Sequence, residues 1–125
     1  MTEPILLLSA EHLQYICQRV GFFVRDAGLL SSASMRPATS VFGVEVYPDL
    51  DTKAAAVMHS IVAYHPLVDG NKRLGWLALI LTLDINGVRL DIPDDDAVEF
   101  TIRVAAGEAE LEDIVDQIRA WRAAV

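Results

Sequence analysis

The amino-acid sequence predicts an all-α bundle of about six helices around one buried central helix, with a short extended flap. Three observations carry this expectation. Apolar residues recur at helical spacing in several separate segments. Hydrophobic residues make up 53% of the chain and charged ones 22%, which excludes a disordered polymer. No repeat or low-complexity segment interrupts the pattern, and 125 residues suffice for one main core, so residues 1–125 are expected to form a single domain.

The elements follow in order. Ser9 before Ala10-Glu11-His12 reads as an N-cap, and Leu13, Ile16, Cys17 and Val20 then recur at helical spacing, giving a helix over 10–20 closed by Gly21. Residues 21–50 are less regular. Leu29, Leu30, Met35 and Val41 suit a helix that Pro37 must start or kink. The stretch FGVEVYPDL alternates Phe42, Val44 and Val46 against Gly43, Glu45 and Tyr47, which suggests a short extended flap or hairpin arm.

Asp51 is expected to cap a helix over 52–64, with Ala55, Met58, Ile61 and Val62 as its apolar stripe and His65 at its end. Pro66 to Gly70 breaks the pattern. From Asn71 to about Ile85 the chain is helical again, stopped by Asn86-Gly87. Its apolar residues, from Leu74 and Trp76 to Leu83 and Ile85, face almost every direction, so this is the expected central helix, roughly 22 Å long. Val88 to Ile92 reads as an extended link. Pro93 suits the first position of a helix to about Ala106, with Asp94, Asp95 and Asp96 near its positive end. A last helix, roughly 108–123, places Leu111, Ile114, Val115, Ile118 and Trp121 on one side.

Charge narrows the possible partners. The formal net charge is −8, yet residues 51–90 carry four basic against three acidic side chains, while residues 91–125 carry three basic against ten acidic. Such a chain is a poor general binder of nucleic acid, although a concentrated basic pair can still hold a small phosphorylated ligand. Cys17 is the only cysteine, so no intramolecular disulfide forms, and its neighbours Tyr15 and Ile16 mark it as packing. The apolar N-terminus has no basic leader, and the run from Leu77 to Leu83 is far shorter than the roughly 20 residues of a span; a cytoplasmic protein without a membrane partner is expected.

The chemistry concentrates in HPLVDGNKRLGW, residues 65–76. Asn71, Lys72 and Arg73 occupy the first turn of an apolar helix, where backbone N–H groups lack intrahelical acceptors and the dipole is positive. A phosphate there meets those donors, a lysine point charge and an arginine fork, and Gly70 lets the chain come close. Asp69 would repel that phosphate unless a cation lies between; Mg²⁺ held by one carboxylate plus substrate phosphates meets the need. Histidine is the side chain that ordinarily titrates near neutrality, so His65 suits a base that takes a proton from an attacking hydroxyl. Taken singly, a histidine ending a helix and an Asp-Gly-Asn turn are ordinary structure. Together with two cations opening an apolar helix, they point to phosphoryl or nucleotidyl transfer to an alcohol.

The stretch resembles the signature of the Fic/Doc superfamily: a histidine, an apolar position two further on, an acid, a small residue, asparagine, and a basic residue before arginine. Here these are His65, Leu67, Asp69, Gly70, Asn71, Lys72 and Arg73. The likeness extends through Gly28-Leu29-Leu30, Arg36-Pro37, Phe42-Gly43, Tyr47-Pro48 and Asn86-Gly87, and the chain length is similar to the Doc branch, the toxin half of bacterial toxin–antitoxin pairs. The resemblance implies that His65 is the base, Asp69 the Mg²⁺ ligand, and Gly70, Asn71, Lys72 and Arg73 the phosphate-binding group for ATP. The 42–47 flap would align the target chain, and an antitoxin C-terminal segment would lie in a groove.

Departures from the typical Fic pattern sharpen the expectation. Lys72 replaces a glycine, and Trp76 replaces a second arginine that orients ATP for AMP transfer. The Doc branch shares that lysine and transfers the γ-phosphate to elongation factor Tu, so the resemblance favours a kinase that arrests translation. AMP transfer and a non-enzymatic binding domain are the alternatives. Leu67 stands where phenylalanine is usual, as another apolar anchor, and Leu74-Gly75 replaces threonine-alanine, with Gly75 costing about 1 kcal/mol of helix propensity. His12 and His59 show no zinc-ligand pattern, and Arg36 is expected either in a surface salt bridge or reaching the cleft.

Overall fold

The computed structural model describes residues 3–123. Six α-helices follow in chain order: α1 (Ala10–Val20), α2 (Ala27–Met35), α3 (Leu50–Tyr64), α4 (Asn71–Asp84), α5 (Asp96–Ala105) and α6 (Leu111–Trp121). A 3-10 turn over Arg36–Ala38 and a hairpin of β1 (Ser40–Val41) and β2 (Val44–Glu45) lie between α2 and α3. The expected all-helical bundle with a short flap is therefore the observed architecture. Among the described residues no helix is long and apolar enough to cross a membrane.

Local chemistry sets the helix ends. Ser9 caps α1 by accepting from the His12 N–H, and the Ser9 N–H donates back to the His12 ring at 3.0 Å. Pro37 starts the 3-10 turn and ends α2 rather than kinking a longer helix. Asp49, not Asp51, caps α3, taking the Thr52 N–H at 2.8 Å. Two aspartates two residues apart offered the choice, and Asp51 goes inside instead, where it pairs with Arg122 at 2.7 Å and Arg119 at 3.5 Å. Pro93 lies ahead of α5, whose N-cap Asp95 sits in the left-handed region without a side-chain cap bond.

The hub is α3. Ten of its 15 residues are buried, and it packs against α2, α4, α5, α6 and the 3-10 turn. Ala54, Ala55 and Ala56 let neighbours approach from several sides at once. The expectation that α4 is the surrounded helix holds on one side only: Leu74, Leu79 and Leu83 are buried, whereas Trp76, Leu77 and Ile80 are half-buried and Ile85 is exposed. The core divides around α3. One part gathers Met58, Val62, Leu79, Phe100, Ile114 and Trp121; the other gathers Leu13, Cys17, Leu30, Ile61, Leu67 and Leu74. The α6 stripe lies on one side as the spacing requires. Burial pushes the Cys17 thiol up, which suits an unreactive packing group.

At Gly75, α4 lies tightly against α3. A Cβ there would stand 2.5 Å from Val62 Cγ2 and 3.4 Å from the Met58 carbonyl oxygen. The residue that costs helix propensity thus sets the distance between the two main helices. Gly75→Ala is expected to lose about 1–3 kcal/mol by overpacking despite alanine's better propensity, measured by urea unfolding; a stabilised variant would show that the helices part freely.

Candidate active site

The site is built where α3 ends and α4 begins. The last residue of α3 hands over to His65 in the left-handed region (φ 54°, ψ 60°), whose N–H still bonds to the Ile61 carbonyl at 3.2 Å. The chain then passes through Pro66 to Gly70 and enters α4 at Asn71. His65, Asp69, Lys72 and Arg73 are all exposed, and Asn71 is half-buried. The five polar residues singled out in the sequence are therefore on one loop and one helical turn.

An extended segment, residues 22–26, runs antiparallel beside this loop with Val24 opposite Leu67. The Val68 N–H donates to Phe23 at 2.9 Å, and the N–H groups of Arg25 and Asp26 both donate to the Pro66 carbonyl, at 2.8 and 3.0 Å. Leu67 is buried, so the apolar anchor packs the loop down as expected. Asn71 fastens it from the other side. Its Oδ1 accepts from the Leu67 N–H at 2.9 Å and its Nδ2 donates to the Leu67 carbonyl at 3.0 Å. The Asn71 side chain is thus engaged by the loop, leaving its backbone N–H at the helix start.

Gly70 begins α4 in the left-handed region (φ 94°) with no side-chain cap. The space above it, expected to admit a ligand, holds the Phe22 ring: a Cβ on Gly70 would lie 2.6 Å from Phe22 Cε1. Both the backbone conformation and this ring require glycine here. Phe22 in turn carries the Arg73 guanidinium, 4.9 Å above its centroid. Sequence reasoning missed Phe22 because nothing local links it to a residue 48 positions on.

Two cavities border the helices that the loop joins, one at the start of α4 and one at the end of α3. One of about 420 Å³ is walled by Val20, Phe22, Trp76 and Val98, with Lys72 and Arg73 at its edge. The other, about 840 Å³, lies towards the flap beside Tyr64, Ser60, Met35 and Ser40. Trp76, where a typical Fic signature would have an arginine, packs edge-on against Trp121 with centroids 6.1 Å apart. That position serves the core.

The flap turns at Phe42 and Gly43, both at positive φ, and Phe42 is fully exposed. Two cations tie the flap to α3. Buried Lys53 donates to the Pro37 carbonyl at 3.0 Å and pairs with Glu45 at 2.8 Å. Arg36 donates to the Tyr47 hydroxyl at 2.8 Å and to Ser60 at 3.0 Å, with its Nη1 2.9 Å from His59 Nδ1. Arg36 is therefore drawn inward rather than into a surface salt bridge, and it lines the cavity beside the flap.

A family model described as the Fic/DOC family matches residues 5–83. The chain belongs to the Fic/DOC family. The match runs from ahead of α1 almost to the end of α4 and so takes in the whole loop and flap of this Fic/DOC protein. A curated relative, "Toxin Doc" of Mycolicibacterium smegmatis (strain ATCC 700084 / mc(2)155), is 44% identical over 103 residues, covering 81% of this chain and 79% of the relative.

His59 gives the flap anchor a pH dependence. Burial foremost, then the Arg36 charge, lowers its pKa, against the opposing pull of Glu110 and Glu112. The unfolded chain therefore binds a proton more readily than the folded one, and stability falls as pH drops from the ordinary histidine value of about 6.5 towards the lower folded value. Urea unfolding across that window is expected to show this acid-side loss in the wild type and a shallower one in His59→Gln. Equal slopes would remove His59 from the account.

Proposed function

We propose that this chain is the toxin of a toxin–antitoxin pair, a Doc-type kinase that transfers the γ-phosphate of Mg-ATP to a hydroxyl of elongation factor Tu and so arrests translation. The observation that carries the reading is the loop itself. It joins His65 and Asp69 to a helix start that has two cations and no side-chain cap, with Lys72 and Trp76 in the two positions that part Doc from AMP-transferring members. The similarity to the M. smegmatis Toxin Doc supports it.

In this reading His65 accepts the hydroxyl proton as the oxygen attacks the γ-phosphorus, and ADP departs with the electron pair of the broken P–O bond. The N–H groups of Asn71, Lys72 and Arg73 and the two cationic side chains hold the phosphates, so charge developing there meets donors already in place. Gly70 contributes by letting Phe22 seat beneath Arg73, which orients the guanidinium.

Asp69 fits a Mg²⁺ ligand. It is exposed, and its Oδ1 takes only the neighbouring Gly70 N–H at 2.8 Å. Among the described residues no three His, Cys, Asp or Glu side chains form a metal cage, so an ion here takes its other oxygens from substrate and water. Mg²⁺ would supply neutralisation of phosphate charge.

The cavity towards the flap suits the acceptor chain, with exposed Phe42 at the turn as an apolar contact. The groove beside Val20, Trp76 and Val98 suits an antitoxin's C-terminal helix, because Val98 and Ile102 expose one apolar face of α5 at i, i+4 spacing. α5 belongs to the acidic part of the chain, which favours a basic segment.

Parallel reactions with elongation factor Tu, Mg²⁺ and ATP labelled at the α or the γ position test the reading. Label from γ alone is expected, falling by at least about 100-fold in His65→Ala. Label from α would make the protein an AMP transferase, and label that persists in His65→Ala would remove the histidine as base.

A further inference from the structure

We propose that Arg25 is the positioning residue for His65. Its guanidinium grips the carbonyl oxygens at the end of α3 and holds His65 in the conformation from which the imidazole serves the site. The inference rests on the preceding reading of His65 as the base.

The geometry is a fork on the backbone. Arg25 Nε donates to the His65 carbonyl at 2.9 Å, and Nη2 donates both to that oxygen and, at 3.3 Å, to the Tyr64 carbonyl. These are orphan carbonyls at the negative end of α3, where a cation is favourable. Arg25 also contributes its own N–H, with that of Asp26, to the Pro66 carbonyl. Asp26 Oδ1 then caps α2 by accepting from the Leu29 N–H at 3.0 Å. One dipeptide thereby joins the start of α2 to three successive carbonyls, those of residues 64, 65 and 66.

His65 needs such a hold. It occupies the left-handed region, where glycine usually ends a helix and a Cβ is disfavoured. A residue stays in that conformation only when its surroundings overdetermine it. Backbone rotation at His65 would swing the imidazole away from a phosphate held at the start of α4. Lysine cannot substitute, because an ammonium is a point donor and does not present a rigid fork to two neighbouring oxygens. Arg25 is exposed, so truncating it leaves no cavity in the core.

The test compares wild type with Arg25→Lys, Arg25→Gln and Arg25→Ala in the γ-phosphate assay with elongation factor Tu, after thermal melts have verified folding. Expected is a fall in kcat of about 100-fold in Lys and Gln alike, KM for Mg-ATP within about twofold, and partial return of the rate when guanidinium ion is added to Arg25→Ala. Added guanidinium leaves His65→Ala inactive. An unchanged kcat, or a loss carried by KM, would overturn the proposal. A second measurement does not need turnover: the HN–Hα coupling and Cα shift of His65 by NMR in wild type and Arg25→Gln. Loss of the left-handed signature in the variant supports the proposal, and its retention overturns it. Should wild type label no acceptor, the kinase reading fails and this NMR comparison alone decides the role of Arg25.

Discussion

An antiparallel contact only a few residues long, with Val24 beside Leu67, holds the loop that brings His65 and Asp69 to the start of α4. The loop between α3 and α4 begins at a histidine and ends at a glycine, both in the left-handed region. Residues 22–26 supply hydrogen bonds along one side, buried Leu67 pins its middle, and the Asn71 amide closes it from within. Because both α3 and α4 are anchored in the core, the loop joins two rigid elements, which is the setting in which polar groups can be held to a fixed geometry.

Electrostatically the molecule works against its own average. The chain is strongly acidic, yet the start of α4 gathers two cations, unsatisfied N–H donors and the positive end of a helix in one place. Most of the carboxylates lie in the last third of the sequence, and several are consumed structurally. Asp113 takes part in the cap of α6, and Asp49 and Asp51 bind the arginines at its other end. The local field at the loop is thus set by its neighbours rather than by net charge.

Much of this was legible in the sequence, and the exceptions share a cause. Ser9, the α6 stripe and the loop signature are local patterns, and each was found where the residues put it. The hub was not, because α3 is rich in alanine and buried almost all round, whereas a periodicity argument rewards large residues and so pointed to α4. Asp49 and Asp51 are equivalent as capping candidates until Arg122, 71 residues away, is known to pair with one of them. The same holds for Phe22 over Gly70 and for Arg25 against His65. Those contacts are tertiary, and no spacing within the chain records them. Gly75 read as a cost to its helix because its benefit lies on the neighbouring one.

The ion group around Asp51 bears on the order of assembly. Asp51 is almost fully buried in the hub, and its partners Arg119 and Arg122 lie 68 and 71 residues further along. Until α6 docks, this carboxylate lacks its two arginine partners, and the segment that must close spans 71 residues. Contacts of such long sequence separation form late. The loop between α3 and α4 and its flanking ribbon rest on contacts of shorter sequence separation, so they form before α6 seals the hub, and the closing of the hub is gated by the docking of α6.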